Sequence, residues 1–144
     1  MKCFMSNRDV SLYIVDIFIA IDKISRFTCN IKNGAELLSH EMAWDATIRE
    51  LEIIGEATKT LLNQGLLKSE YRRIVDFRNQ ISHGYFGIDE EIVWDVVSLK
   101  LPQFRIELVK IVAKEKINLA NAIEYAKAEN QKNEQVLKFL GKLI

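Results

Sequence analysis

The segment Arg8–Phe27 constrains the fold more than any other part of the sequence. Its apolar residues cover most of a helix circumference and leave only narrow polar lines at Asp9, Asp16 and Lys23. A helix that is apolar nearly all round must be buried on several sides. Because a monomer of 144 residues has difficulty covering such a helix alone, the segment predicts a homodimer that covers the extra face. The apolar residues are Val10, Leu12, Tyr13, Ile14, Val15, Ile17, Phe18, Ile19, Ile21 and Ile24.

The remainder of the chain carries helix signals and no convincing alternating strand pattern. Asn33 with Glu36 is typical of a helix start, and Gly65 is typical of a helix end. Asp89 is a second capping residue, since two acidic residues follow it in the next turn. These signals predict an all-α fold, an up-down helical bundle of four to five helices. Beyond the first helix, the predicted helices include Glu41–Asn63 and Ser69–His83.

Pro102 marks the start of a fifth helix. Proline removes a hydrogen bond and clashes one turn back, so a kink or break is expected near Lys100 and Leu101. Beyond Ile117 the polar content rises, and a continuation as far as Leu140 stays open. Such a tail would extend away from the core or pack on a partner. We therefore divide the chain into a helical bundle, residues 1–117, and a C-terminal helical extension of the same domain, residues 118–144.

The charge balance limits how this chain can bind nucleic acid. Lys+Arg and Asp+Glu both number 20, so the formal net charge is zero. Proteins that bind nucleic acid through bulk electrostatics usually carry a basic excess, so any contact made by this chain must be local. The stretch 68–83 leans basic. Within it, Arg72 and Arg73 are either solvated charges or groups that contact an RNA backbone.

The two cysteines, Cys3 and Cys29, indicate free thiols in a reducing compartment. The first residues show no signal-peptide core, and the longest charge-free run falls far short of the roughly 20 residues of a membrane helix. These features predict a cytoplasmic protein with no membrane partner. The cysteines do not form a zinc-ligand pattern with His40 and His83, which predicts that the chain binds no metal. His40 itself is interpreted as a surface residue.

The segment Phe77–Tyr85 is the part of the sequence most suited to catalysis. Arg78 and His83 are five residues apart, which places them ~140° apart on a straight helix. Asn79 and His83 are four apart and share a face. The arginine and the histidine therefore converge most simply across a two-fold axis, where the same helix of two subunits lines one cleft.

This set of residue types suits cleavage of RNA. Imidazole titrates near neutral pH and can take or give a proton, and guanidinium can hold two phosphate oxygens in a fork. One histidine would deprotonate the 2′-hydroxyl while the other protonates the leaving oxygen, and no metal is required. The spacing of Arg78 and His83 alone is weak evidence and is also compatible with a capping histidine beside a surface arginine, so that alternative stays open.

Three blocks of sequence, in this order, cover roughly residues 8–112. The first contains Arg8-Asp9, Tyr13, Asp16-Ile17, Ala20-Ile21 and Lys23-Ile24; the second is Asp45-Ala46-x-Ile48-Arg49-x-Leu51-Glu52-Ile53-Ile54-Gly55-Glu56-Ala57; the third is Arg78-Asn79-x3-His83-x-Tyr85-Phe86-Gly87-Ile88-Asp89, followed by Ile92-Val93-Trp94 and Leu101-Pro102. Together they resemble the HepT-type toxins of the HEPN ribonuclease superfamily. The chain departs from that pattern at Tyr71, where a tryptophan is usual, and at Gly84, where an acid is common.

The resemblance implies a dimeric helical bundle with a metal-independent ribonuclease site at the subunit interface. By this likeness Arg78 and His83 are the catalytic pair, Asn79 supports the phosphate or the histidine, and Tyr85 is the site of AMPylation. The implied partner is an MntA-type nucleotidyltransferase antitoxin, which itself uses ATP and magnesium, so this chain needs no cofactor. The implied substrate is RNA, with transfer RNA a leading candidate.

Two other functions stay open on the sequence. The chain is alternatively a non-catalytic nucleotide- or substrate-binding subunit of a nucleotidyltransferase, or a scaffold whose tail mediates assembly. Trp44 and Trp94 are interpreted as core or dimer residues rather than base-stacking platforms. Arg49, Glu52 and Glu56 form a charged line on the second long helix, interpreted as a structural or interface salt-bridge line rather than a catalytic one.

Overall fold

The structure is a computed structural model that describes residues 7–84 and 87–143, with the side chains of residues 10–81 and 87–143. No strand lies in these ranges, so the prediction of an all-α fold is confirmed for them. The helices are α1 (Asn7–Phe27), α2 (Gly34–Ser39), α3 (Glu41–Asn63), α4 (Arg72–Gly84), α5 (Glu90–Asp95), α6 (Leu101–Lys114), α7 (Ala120–Glu129) and α8 (Glu134–Lys142). A 3₁₀ turn, Ser69–Tyr71, precedes α4, and a π-helical turn, Val96–Lys100, joins α5 to α6.

The bundle is built around α1 and α3. These two helices form the most extensive contact, α4 packs on the other side of α3, and α6 packs on α1. The residues that fill the main core are aliphatic or aromatic and come from all of these helices. Among the most deeply buried are Ile14, Phe18, Ile54, Leu61, Val93 and Leu108. None of the helices in the described ranges combines the length and apolarity needed to cross a bilayer.

The ends of the helices follow local signals in the sequence. α3 occupies the predicted range, and Gly65 follows it with φ +76°. Its N–H donates to the carbonyl of Leu62, and the N–H of Leu66 donates to the carbonyl of Leu61, which is a Schellman motif. At helix starts, the side chain of Asn33 accepts from the N–H of Glu36 at 2.8 Å. Asp89 accepts from the N–H of Glu91 at 2.8 Å.

The break expected before Pro102 is present as the π-helical turn. The N–H of Leu101 donates to the carbonyl of Val96, five residues earlier, rather than to the carbonyl four residues earlier. Proline has no N–H and its ring clashes with the preceding turn, so the backbone widens there before α6 continues. Pro102 lies in the first turn of α6, where a missing N–H costs little.

The tail corrects two expectations. The helix that contains Val112 ends at Lys114 and does not run to Leu140, because Lys116 adopts φ +54° and turns the chain. The segment beyond it does not extend away from the core, since α7 and α8 fold back onto α1.

The returning tail buries the face of α1 that was assigned to a second subunit. Val15 and Ile19 of α1 form a second hydrophobic cluster with residues of the tail. The reasoning that α1 needs a partner chain was therefore wrong, because the same chain supplies the cover. The tail residues of this cluster are Ala122, Ile123, Ala126, Val136 and Leu140.

Candidate functional site

The site begins with a close approach between α3 and α4. Gly55 lies on the buried side of α3, directly against the side chain of Arg78 on α4. A Cβ atom added to Gly55 would overlap the Cβ and Cγ atoms of Arg78 and would stand 3.5 Å from its Cδ. The stem of Arg78 therefore lies across the backbone of α3, in space that only glycine leaves open.

The guanidinium of Arg78 contacts two oxygens of its own chain. Nη2 forms an ion pair with Oε2 of Glu56, the residue that follows Gly55 on α3. Nη1 donates to Oδ1 of Asn79 at 3.0 Å. The third nitrogen, Nε, is buried and has no hydrogen-bond partner among the described atoms. The side chain of Arg78 is 28% exposed, so part of the guanidinium still faces solvent.

The other half of the predicted pair is located only by its backbone. His83 lies in the last turn of α4, five residues after Arg78. Its side chain lies outside the described atoms, and Tyr85 lies outside the described residues. The structure thus brings Arg78 and Asn79 together on α4. The roles of Arg78, Asn79, His83 and Tyr85 stay predictions.

A shallow cleft of about 350 Å³ opens beside Arg78, between α1 and α3. Three acidic residues line it, Asp16, Glu52 and Glu56, against two basic ones, Arg49 and Arg78. A wall with more acids than bases disfavours a phosphate on this side of the arginine. The other lining residues are Tyr13, Ile53 and Ala57.

The edge of this cleft next to the tail is also acidic. Loss of water around the Asp16 carboxyl, and then the negative charge of Glu129 on α7, raise the pKa of Asp16 above its ordinary value. Glu129 also raises the pKa of Tyr125, through its charge and a side-chain hydrogen bond. The tail therefore adds negative potential to the far side of the cleft, away from α4.

The exposed side of α4 has a different character. Arg72 and Arg73 are exposed in its first turn, and Asn79 and Gln80 are exposed about two turns further on. A groove of about 960 Å³ separates α4 from the helices α5 and α6. Arg73 lines this groove, and the contact of Arg72 and Arg73 with RNA stays a prediction.

The tryptophans, His40 and Cys29 lie in the core or at the surface. Trp44 and Trp94 are partly buried and pack against the main core, which agrees with their interpretation as core residues. His40 is exposed, and its Nδ1 lies 2.9 Å from the carbonyl oxygen of Glu36. Within the described residues, no group of three His, Cys, Asp or Glu side chains is arranged to hold a metal ion. Cys29 is an exposed free thiol.

Sequence reasoning missed the part that Gly55 and Glu56 play at this site. Glu56 was placed in a charged line with Arg49 and Glu52, and its partner was not foreseen. The usable signal was the glycine itself. A glycine inside a long amphipathic helix lowers the stability of the helix, so its presence indicates that another backbone or side chain approaches closely there.

Comparisons with known proteins identify the family of this chain. A family profile described as Ribonuclease HepT-like matches residues 17–111, a range that includes the site and excludes the tail. This chain belongs to the HepT-like ribonuclease family. The resemblance inferred from its sequence blocks is therefore confirmed, and membership places the chain among ribonucleases.

Several curated relatives carry ribonuclease names. The protein named "Putative RNase MJ1380" of Methanocaldococcus jannaschii is 35% identical over 107 residues, which cover 72% of this chain and 97% of the relative. The "Probable ribonuclease HepT" of Thermococcus cleftensis is 34% identical over 102 residues, covering 69% of this chain and 92% of the relative. No solved structure gives a significant match.

One further relative is aligned over the tail as well. The "Gamma-glutamylcyclotransferase and putative RNase MJ0434" of M. jannaschii is 30% identical over 145 residues. The alignment covers 95% of this chain and 63% of the relative. For the two shorter relatives, in contrast, the alignment covers nearly the whole relative but only about 70% of this HepT-like chain.

Proposed function

We propose that this HepT-like protein is a metal-independent endoribonuclease and the toxin of a type VII-like HEPN/MNT toxin–antitoxin system in the cytoplasm. Arg78 and His83 are its catalytic residues and Asn79 supports them. The observation that supports this most directly is the setting of Arg78, whose stem lies against Gly55 while its guanidinium stays partly exposed on α4. Arg78 and His83 both lie inside the range matched by the ribonuclease family.

The proposed reaction is a transphosphorylation of RNA. The imidazole of one His83 removes the proton of the 2′-hydroxyl, and O2′ attacks the adjacent phosphorus. The bond from phosphorus to the 5′-oxygen breaks, and the second His83 of the dimer, in its protonated form, donates a proton to that oxygen. The products are a 2′,3′-cyclic phosphate and a 5′-hydroxyl. Arg78 stabilises the negative charge that develops on the phosphate oxygens.

A homodimer would complete the site, and the groove beside α4 supports it. Ile92 and Ile106 on its wall are 53% and 54% exposed, although both are large and apolar. Phe77 and Ile74 of α4 line the same groove. Exposed apolar surface next to a functional helix is typical of an interface. A second copy seated there would bring two α4 helices together, with Arg72 and Arg73 at the edges to contact the RNA backbone.

The proposed regulation acts on Tyr85. An MntA-type nucleotidyltransferase antitoxin, using ATP and magnesium, transfers AMP to the tyrosine oxygen two residues after His83. The added phosphate repels the substrate phosphate, and the adenosine occupies space at the site. This chain needs no cofactor of its own, and RNA, with transfer RNA as the first candidate, is its substrate.

Cleavage of total RNA and transfer RNA by the purified protein, in the presence of a metal chelator, tests the proposal. Arg78→Ala and His83→Ala should each lower the cleavage rate at least a hundredfold, because each removes a group that acts only in the transition state. Because the proposed reaction uses His83 of both subunits, mixing the two inactive variants should not restore activity, since each mixed dimer holds a single His83. His40→Ala is the matched control, and it should retain full activity.

The outcome that overturns the proposal is equally defined. If the unmodified protein cuts no RNA, or if both variants cut as fast as the parent, the site is not a ribonuclease site. Nucleotide affinity that persists in His83→Ala, without any cleavage, would instead favour the nucleotide-binding subunit.

A further inference from the structure

The carboxylate of Glu56 forms an ion pair with the guanidinium of Arg78. Glu56 directly follows Gly55 on α3. Gly55 leaves space for the aliphatic part of the Arg78 side chain, and Glu56 pairs with its guanidinium. We infer that Glu56 is a positioning residue, which orients Arg78 so that the arginine presents its remaining N–H groups to a phosphate from the exposed side of α4. This inference rests on the proposed ribonuclease function.

The contacts of Arg78 restrict its orientation at three points. Its stem is confined by the backbone of α3 at Gly55. Its Nη2 is paired with Glu56, and its Nη1 donates to Asn79. The buried Nε is closed to a ligand. A guanidinium has five N–H donors, so these contacts leave one N–H on each terminal nitrogen for a phosphate. An arginine held in this way does not lose side-chain entropy again when RNA binds.

Stability is a poor explanation for the ion pair. The side chain of Glu56 is 53% exposed, and ion pairs at that level of exposure contribute little to folding. The effect of losing Glu56 should therefore appear in catalysis and not in the unfolding transition.

A competing interpretation is that Glu56 inhibits the site, because its carboxylate competes with the substrate phosphate for the guanidinium of Arg78. The arrangement of charge favours positioning. Apart from Glu56 itself, two acids, Asp16 and Glu52, and one base, Arg49, line the cleft on the α3 side of Arg78, so a phosphate is disfavoured there. Glu56 therefore occupies the side of the guanidinium that RNA would not use, and it leaves the α4 side open.

Steady-state cleavage by Glu56→Ala and Glu56→Gln tests the inference. We expect kcat to fall about tenfold in Glu56→Ala and less in Glu56→Gln, whose amide can still accept a hydrogen bond, while KM stays within about twofold. Thermal unfolding should be unchanged in both. Glu124→Gln is the matched control, because it removes the carboxylate of another exposed ion pair, with Lys127, in the distant tail. It should cleave like the parent.

A double-mutant cycle with Arg78→Lys separates positioning from a general loss of structure. Lysine cannot form the same forked contacts, so the effect of Glu56→Ala should shrink to less than about twofold in that background.

Equal losses in the two backgrounds would overturn the inference. So would a lower KM with an unchanged kcat in Glu56→Ala, which is the signature of a competitor. If the parent is active and sensitive to Arg78→Ala while Glu56→Ala behaves like the parent, the inference fails and the proposed function stands. An inactive parent overturns both.

Discussion

At the scale of single residues, Gly55 decides where the arginine of the site can lie. Glycine in the middle of a 23-residue helix lowers helix stability by roughly 0.5–1 kcal/mol relative to alanine. Here the missing side chain lets α4 approach until the stem of Arg78 contacts the α3 backbone. The helix loses a little intrinsic stability at Gly55, and in return α3 and α4 can pack closely.

Substitution of Gly55 by alanine should therefore destabilise the protein, against the usual trend for helices. The propensity gain of roughly 1 kcal/mol is outweighed by overpacking against the Cβ and Cγ of Arg78, which typically costs about 1–3 kcal/mol. We expect a net loss of up to about 2 kcal/mol in the free energy of unfolding and a lower cleavage rate. Chemical denaturation followed by circular dichroism measures the first.

The matched control for that substitution is Gly141→Ala. Gly141 is exposed in α8, and a Cβ atom there would meet nothing within 4 Å. This variant should be as stable as the parent or slightly more stable. If Gly55→Ala had the same free energy of unfolding as Gly141→Ala, the close approach of α3 and α4 would not contribute to stability.

At the scale of helices, the end of α6 determines what the tail can do. Lys116 adopts φ +54°, and the N–H of Ile117 donates to the carbonyl of Val112 at 3.0 Å. This is a Schellman motif with lysine in the position that usually holds glycine, and the buried Ile117 supplies the accompanying hydrophobic contact. The turn sends the chain back towards α1 instead of extending the helix.

Lys116→Gly should stabilise the protein. A residue other than glycine in the left-handed region is strained, and relief of that strain exceeds the added entropy of the unfolded chain, so a gain of about 0.5–1 kcal/mol is expected. Lys114→Gly, two residues earlier and still inside α6, should have the opposite sign, with a loss of up to about 1 kcal/mol. Melting temperatures of the two variants in one buffer provide the test, and a shift in the same direction for both would contradict it.

At the scale of the whole molecule, the tail takes the place that a partner was expected to fill. Val15 and Ile19 on α1 are buried by α7 and α8 of the same chain. The groove between α4 and α5–α6 keeps exposed isoleucines. The second copy proposed above would therefore find exposed apolar surface beside the proposed catalytic helix, whereas Val15 and Ile19 of α1 are already covered.

Removal of residues 118–144 should expose the covered face of α1. Each aliphatic side chain that loses its cover forfeits about 1.5–3 kcal/mol of burial, so the melting temperature should fall by about 10 °C or more. Binding of a hydrophobic dye should rise at the same time. Replacing Val15 and Ile19 by serine in the shortened chain should lower the dye signal again. An unchanged melting temperature without dye binding would show that the tail contributes no cover.

The features set by local interactions were predictable from the sequence. The bounds of α3, the caps at Asn33 and Asp89 and the break before Pro102 each depend on side chains and backbone groups within a few residues of one another. The family of the chain was also accessible, because its motif residues occur at fixed spacings. The pairing of Glu56 with Arg78 was not accessible, since it joins residues 22 positions apart and depends on how closely two helices approach.

The sequence by itself determined that the chain is helical, where the helices α1 and α3 lie, and which segment carries the proposed catalytic residues. Only the tertiary structure decided what covers the apolar face of α1, and which carboxylate holds Arg78. The physical reason is one of range. Capping and helix periodicity act over a few residues, whereas burial is satisfied by any apolar surface that reaches the site. A tail of the same chain and a second subunit therefore look alike in the sequence of α1.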